Sequence, residues 1–225
     1  MEKFLEYLPL VLSGTWITIS VSVLSLFIAV VLGLLGAFGK LWGNPATKRI
    51  CTIYTTLIRG VPDLLLILLI FYGGQIGINY ITEFFEIDYI NISPFISGVL
   101  TIGFIYGAYM VETFRGAILA IEQGQLEAGH SFGMTNLTLF RRITFPLMVK
   151  HAIASFMNNW LVLIKSTALI SIVGLEDVVR KSNMAGQITK QPFTFLLTAA
   201  MIYIVITSLS LWVIRSLEKK YQVIE

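Results

Sequence analysis

Apolar residues in this chain run in long unbroken stretches, not at the spacing of a half-buried helix or strand. Tyr7 to Gly39 contains no charged residue, nor does Tyr89 to Val111 or Phe193 to Trp212. A helix needs about 20 such residues to cross the hydrocarbon core of a bilayer. Two more stretches reach that length only if they carry charge. Ile50 to Tyr80 includes Arg59 and Asp63, and Ala152 to Leu175 includes Lys165. At that depth every backbone N–H and C=O needs a partner within the chain, so the spans are helices. The pattern predicts one all-α membrane domain over residues 1–225, with five spans at about 8–39, 50–80, 89–119, 146–175 and 191–215. The first run exceeds the roughly 7–15-residue core of a signal peptide and is read as a retained span.

The punctuation between the runs adds detail. Residues 124–138 are too polar to cross the membrane and too long for a tight turn. Gln125 to about Ser131 favours helix, Gly133 stops it, and Pro146 opens the next span, where a missing N–H costs least. The result is a short helix lying on one face of the membrane, a shape suited to being pushed by a partner. Gly33, Gly36 and Gly39, and the pair Gly103 and Gly107, mark places where helices pack closely. Pro62, beside Gly60, leaves the Ile58 carbonyl without its helical donor and breaks the second span near its middle.

Composition agrees with this reading. Of 225 residues, 56% are hydrophobic and 13% charged, against about 25% charged in soluble domains. The net charge of +3 is spread along the chain and gives no nucleic-acid surface. Cys51 has no second cysteine to pair with, and His130 and His151 do not form a ligand spacing, so neither a metal site nor a cofactor is expected. No clustered nucleophile and base suggests a catalytic site. With residues 115–150 inside, Lys40, Lys48, Arg49, Arg115, Arg141, Arg142, Lys150, Arg215, Lys219 and Lys220 are cytoplasmic, and only Lys3, Arg180, Lys181 and Lys190 are outside. The excess of basic residues inside sets the orientation: N-terminus out, C-terminus in.

The polar loop carries the most specific motif. It reads Glu127, Ala128, Gly129, then Gly133, then Ile143 and Pro146. This resembles the Glu-Ala-Ala, three residues, Gly, nine residues, Ile-x-Leu-Pro signature of permease subunits of bacterial ABC importers. Gly129 replaces the second alanine and Phe145 the leucine; the glycine weakens a helix by up to about 1 kcal/mol. Leu57–Asp63 (LIRGVPD), Tyr106–Ala117 (YGAYMVETFRGA), Asn158–Trp160, Leu163–Asp177 and Gln191–Phe193 are similar to the polar-amino-acid branch of that family, in particular to permeases for histidine, lysine, arginine and ornithine. The resemblance covers most of the chain. It implies the type I importer permease fold in a bacterial inner membrane, with Glu127, Ala128, Gly129 and Gly133 on the coupling helix that docks on an ATPase. It also implies a second permease, identical or homologous, two copies of a cytoplasmic ATPase, an extracytoplasmic solute-binding protein and a cationic amino acid as cargo. The chain has no phosphate-binding G-x-x-x-x-G-K-[ST] of its own, so ATP hydrolysis is expected on a partner.

Ionisable groups at bilayer depth are costly and point to function. Asp63, Glu112, Arg59 and Lys165 are the four candidates. Arg59 and Asp63, four apart in one span, are expected to share a helix face. By the helix rise, Asp63 and Glu112 lie at comparable depth, roughly 20 and 10 Å from the cytoplasmic ends of their spans. One reading makes the acids a binding site for a cationic substrate, with Arg59 or Lys165 holding its carboxylate. The other pairs Arg59 with Asp63 and Lys165 with Glu112 as internal neutralisation. At the level of mechanism, alternating access driven by a partner ATPase competes with an ion-driven secondary transporter, which would use the same acids without needing the docking motif.

Overall fold

The computed structural model describes residues 2–222, with side chains from 3 to 216. Among them every regular element is helical. The order is α1 (Glu2–Trp42), α2 (Pro45–Gly60), α3 (Asp63–Phe84), α4 (Pro94–Leu119), α5 (Gln123–Ser131), α6 (Asn136–Leu139), a π-helical turn (Phe140–Thr144), α7 (Phe145–Ser166), a 3-10 segment (Thr167–Val173), α8 (Val178–Thr189) and α9 (Pro192–Gln222). Five described helices are long and apolar enough to cross a membrane: Lys3–Trp42, Asp63–Phe84, Pro94–Leu119, Asn136–Val173 and Pro192–Ser216.

α4 is the hub. Ser97, Ile102, Tyr106, Met110, Phe114 and Ala117 are among its buried residues, and its most extensive packing is against α1. The glycines make this contact possible. A Cβ on Gly33 would collide with Met110, and one on Gly36 with Val111. From the other side, a Cβ on Gly103 would lie 2.7 Å from Ile28, and one on Gly107 3.0 Å from Leu32. Ser25 Oγ crosses the same seam to donate to the Val99 carbonyl at 3.1 Å. By contrast α3 and α9 leave most of their apolar surface uncovered, with Leu65, Leu69, Leu197 and Val205 exposed.

The 41 residues of α1 extend about 60 Å, twice the roughly 30 Å hydrocarbon thickness. Its first turns leave the main bundle and build a second, smaller core with α8 and α9. Val11, Val178, Ala185, Phe195 and Ala199 are buried there, and the Phe4 and Phe195 rings lie 5.5 Å apart.

Two elements differ from the simplest reading of the pattern. The interval 50–80 is two helices. α2 is launched by Asn44, whose side chain accepts from Thr47 N–H at 2.8 Å, with Pro45 in its first turn. It ends because Val61, the residue before Pro62, is held extended at φ −112°, ψ 139°. The span proper begins at Asp63. The fourth span does not begin at Pro146 but runs on from α6. Pro146 sits in the first turn of α7, directly after the π-helical turn, the kind of irregularity that accommodates a proline in a continuing helix.

Candidate functional site

The break at Val61 and Pro62 puts two opposite charges on either side of a gap. Arg59 lies in the last turn of α2 and Asp63 begins α3, so they do not share a helix face as the four-residue spacing suggests. Nor do they form an ion pair among the described residues. Each is held instead by one member of a stacked tyrosine pair on α4. The Tyr106 and Tyr109 rings lie 5.4 Å apart at 27°. The Arg59 guanidinium sits over the Tyr109 ring, 5.5 Å from its centre. The Tyr106 hydroxyl donates to Asp63 Oδ2 at 3.0 Å and lies 2.6 Å from Ser166 Oγ at the end of α7.

Glu112 lies one turn beyond Tyr109 and is already neutralised. Lys40 Nζ reaches its Oε1 at 2.6 Å, and Arg115 holds Oε2 at 2.8 Å. Lys40 also donates to Thr55 on α2 at 2.6 Å, so three helices meet at this carboxylate. Pairing of Glu112 with Lys165 does not occur. Lys165, in the last turn of α7, is exposed and has no ion pair among the described residues. Lys40 is a partner that the sequence pattern hides: the uncharged run ends at Gly39, which suggests a cytoplasmic loop, but α1 continues through Trp42 and holds Lys40 in its last turn.

Arg59, Tyr109 and Glu112 line a cleft of about 330 Å³ together with Thr113, His151, Ser155 and Asn159. Asn159 Nδ2 donates to Thr113 Oγ1 at 2.8 Å, and Thr113 and Ser155 exchange a hydrogen bond at 2.9 Å. His151, Ser155 and Asn159 fall at i, i+4 and i+8 on α7, one polar stripe facing α4 across the opening. That spacing was visible in the sequence as His151, Ser155 and Asn159, but an apolar span masked it. The cleft suits a small polar or charged molecule that needs donors and acceptors on several sides.

Just past the C-terminal end of α4, the polar loop folds into an elbow of α5 and α6. Gly133 ends α5 with φ +74°, a left-handed conformation that a side chain would strain. Thr135 caps α6. Glu127 and Ala128 are exposed, whereas Gly129 is buried against the Leu139 and Ile143 side chains. The glycine at the motif's second-alanine position therefore lets α5 lie close on the following helix. Phe132 and Leu137 are 85% and 67% exposed beside it. Two large apolar residues in a polar loop are a signal already legible in the sequence at Phe132 and Leu137.

Beyond the opposite end of the spans, Asp177 caps α8 through the Arg180 N–H at 2.9 Å. It is fully enclosed, and burial pushes its carboxyl up to about 6 against the opposing pull of its backbone hydrogen bonds.

A five-span helical bundle with a helix break just before the second span, a polar cleft beside that break and a short helical elbow on one face defines the class: a multi-pass membrane permease subunit. Residues 29–223 match the family described as binding-protein-dependent transport system inner membrane component, and the chain belongs to that family. It is 48% identical to the histidine/lysine/arginine/ornithine transport system permease protein HisQ of Escherichia coli (strain K12), over 95% of this chain and 93% of the relative. It is 38% identical to the octopine transport system permease protein OccQ of Rhizobium radiobacter (93% and 89% covered). Identity to the arginine ABC transporter permease protein ArtQ of Haemophilus influenzae is 34% (97% and 96% covered). Among solved structures, a chain of an amino acid ABC transporter crystallised with histidines superposes with a TM-score of 0.82 at 29% identity, covering 96% of both chains. A chain of the inward-facing MetNI methionine ABC transporter shares the fold, with a TM-score of 0.68 at 16% identity over 92% of this chain and 95% of that one.

Proposed function

We propose that this chain is the transmembrane subunit of an ATP-driven importer that moves a cationic L-amino acid (arginine, lysine, histidine or ornithine) into the cytoplasm by alternating access. The observation that carries the substrate class is the unequal state of the two intramembrane acids. Glu112 is held by two cations. Asp63 is held by a neutral hydroxyl, so its charge remains available. A cationic side chain entering a partly dry site loses hydration and needs a fixed anion to offset that loss. Asp63 is the residue for that role. It does not line the cleft itself but begins α3 across the break from Arg59, the group for the substrate carboxylate, which does line it; Glu112 and the α4–α7 stripe are the cleft wall. Lys165 faces out of the chain and serves as a second carboxylate contact across the partner interface. The names of the relatives support the same substrate class.

Charged and polar groups cannot face lipid at this depth without large cost. Arg59, His151, Ser155 and Lys165 are exposed in the single chain, which supports a second permease, identical or homologous, closing over them. Glu127, Ala128, Gly129 and Gly133, with Phe132 and Leu137, form the surface for one of two cytoplasmic ATPase subunits. ATP hydrolysis belongs to those subunits and not to this chain. A solute-binding protein delivers the cargo on the outer side, where the N-terminus lies, and the C-terminus is cytoplasmic, in a bacterial inner membrane. Family membership weighs against the ion-driven alternative, which has no use for the elbow.

The test is uptake by the purified complex in proteoliposomes. Labelled arginine or lysine should accumulate only with ATP inside, and Asp63→Asn should reduce that uptake at least tenfold with the complex still assembled. Uptake driven by an ion gradient without ATP would overturn the importer reading, and full cationic uptake in Asp63→Asn would overturn the substrate site.

A further inference from the structure

Tyr106 is 2% exposed, on the most enclosed helix of the bundle, yet its hydroxyl meets two polar groups from different spans. Both partners sit at irregularities. Asp63 is the first residue of α3, directly after the Pro62 break. Ser166 is the last residue of α7, where the α-helix gives way to the 3-10 segment. A single buried hydroxyl therefore ties together two of the places where the described helices depart from regular α-helix.

The direction of the hydrogen bonds follows from the donor inventory. An ionised carboxylate only accepts, so the one Tyr106 proton goes to Asp63. The Tyr106 oxygen then accepts from Ser166, whose hydroxyl supplies the proton on the 2.6 Å contact. The relay runs Ser166 to Tyr106 to Asp63. The ring cannot swing away, because it stacks on Tyr109, and that ring in turn lies under Arg59. Asp63 also sits in the first turn of a 22-residue helix, where the N-terminal partial charge favours an anion. The Tyr106 hydroxyl and the helix N-terminus orient the carboxylate, and Arg59, held on the Tyr109 ring, forms no ion pair with it among the described residues.

We propose that Tyr106, itself held by Ser166, is a positioning residue that fixes the Asp63 carboxylate for a cationic substrate. The proposal rests on the reading of Asp63 as the cation site. Tyr106 need not touch the substrate. Its hydroxyl removes the freedom of an aspartate at the end of a broken helix, so that a substrate does not spend binding energy on ordering it.

The experiment is equilibrium binding of labelled arginine to the assembled permease–ATPase complex in lipid nanodiscs, with citrulline, the uncharged near-isostere, as the comparison. Tyr106→Phe keeps the ring and the stack and deletes only the hydroxyl. It should weaken arginine binding about tenfold, the scale of a hydrogen bond to a charged group, and leave citrulline within about twofold. Ser166→Ala should weaken arginine roughly threefold. The double variant should be no worse than Tyr106→Phe alone, because Ser166 acts through Tyr106. Arginine binding unchanged in Tyr106→Phe but lost in Asp63→Asn would overturn the positioning role and leave Asp63 in place. Unchanged binding in Asp63→Asn would overturn the cation site and this proposal with it. Equal weakening of arginine and citrulline, or additive losses in the double variant, would make Tyr106 a merely structural residue and refute the proposal. If Tyr106→Phe fails to assemble, Ser166→Ala alone decides: selective weakening of arginine supports the relay and no change refutes it.

Discussion

Lys40 and Glu112 meet at 2.6 Å across 72 positions of sequence, joining the last turn of α1 to the C-terminal third of the central helix. Their side chains are 12% and 20% exposed, so water screens the pair only in part. Removing one partner strands the other, whereas removing both need not. Lys40→Met should destabilise the chain by on the order of 2 kcal/mol, a discounted figure because Arg115 remains on Glu112. Glu112→Gln should cost a similar amount by stranding Lys40. The double variant should recover most of the loss. Protein level and thermal midpoint in detergent measure the cycle, and strictly additive losses would show that the ion pair does not couple α1 to α4.

The elbow gives a second test. Glu127→Lys reverses the charge on the exposed face of α5, and Gly133→Leu forces a side chain into a φ of +74°, which costs roughly 1–2 kcal/mol locally. Both variants should insert normally, bind less ATPase in pull-downs and lose most ATP-driven uptake. Phe132→Asp should do the same by placing a charge where an apolar side chain is 85% exposed. Full docking and uptake in all three would remove the elbow from the coupling path.

Topology is read by labelling. A cysteine at Glu86 or Asp88, in the loop after α3 that the proposed orientation puts outside, should react with an impermeant maleimide on intact cells. One at Asn136, at the start of α6, should react only after the membrane is opened. The native Cys51 is replaced first so that it contributes no signal. A reversed pattern would invert the whole arrangement.

Asp177 supplies a pH prediction. Its carboxyl rises from the ordinary 3.8 to about 6 because it is buried. The folded state therefore binds the proton more tightly than the unfolded state, and between those two values stability falls as pH rises. Above pH 6 the buried charge is a constant cost. Asp177→Asn keeps an oxygen for the Arg180 N–H and removes the charge. The variant should melt higher than the parent at pH 8 and close to it only below pH 3.8, with the difference growing between 3.8 and about 6. No difference at pH 8 would mean that the carboxylate is compensated in the assembled transporter.

Five spans, the charge bias and the motif at Glu127–Gly133 could all be read from the sequence, because each rests on local composition or short spacing. A run of twenty apolar residues has one stable solution in lipid whatever its neighbours are. The glycine pairs were equally legible, since a missing side chain marks a close approach before the partner is known. Pro62 announced its own break, because it lacks a backbone donor and restricts Val61 whatever the context. What the sequence left open was which charge meets which. Arg59 and Asp63 look like a pair at four-residue spacing, and Glu112 and Lys165 like another. Only the packing of α1, α2, α4 and α7 sends Lys40 to Glu112, Arg59 to Tyr109, and Asp63 to Tyr106 and Ser166. Ion pairs and hydrogen bonds act over a few ångströms, so their partners are decided by where distant segments come to rest. Hydrophobic thickness constrains each span singly and carries no information about its neighbours.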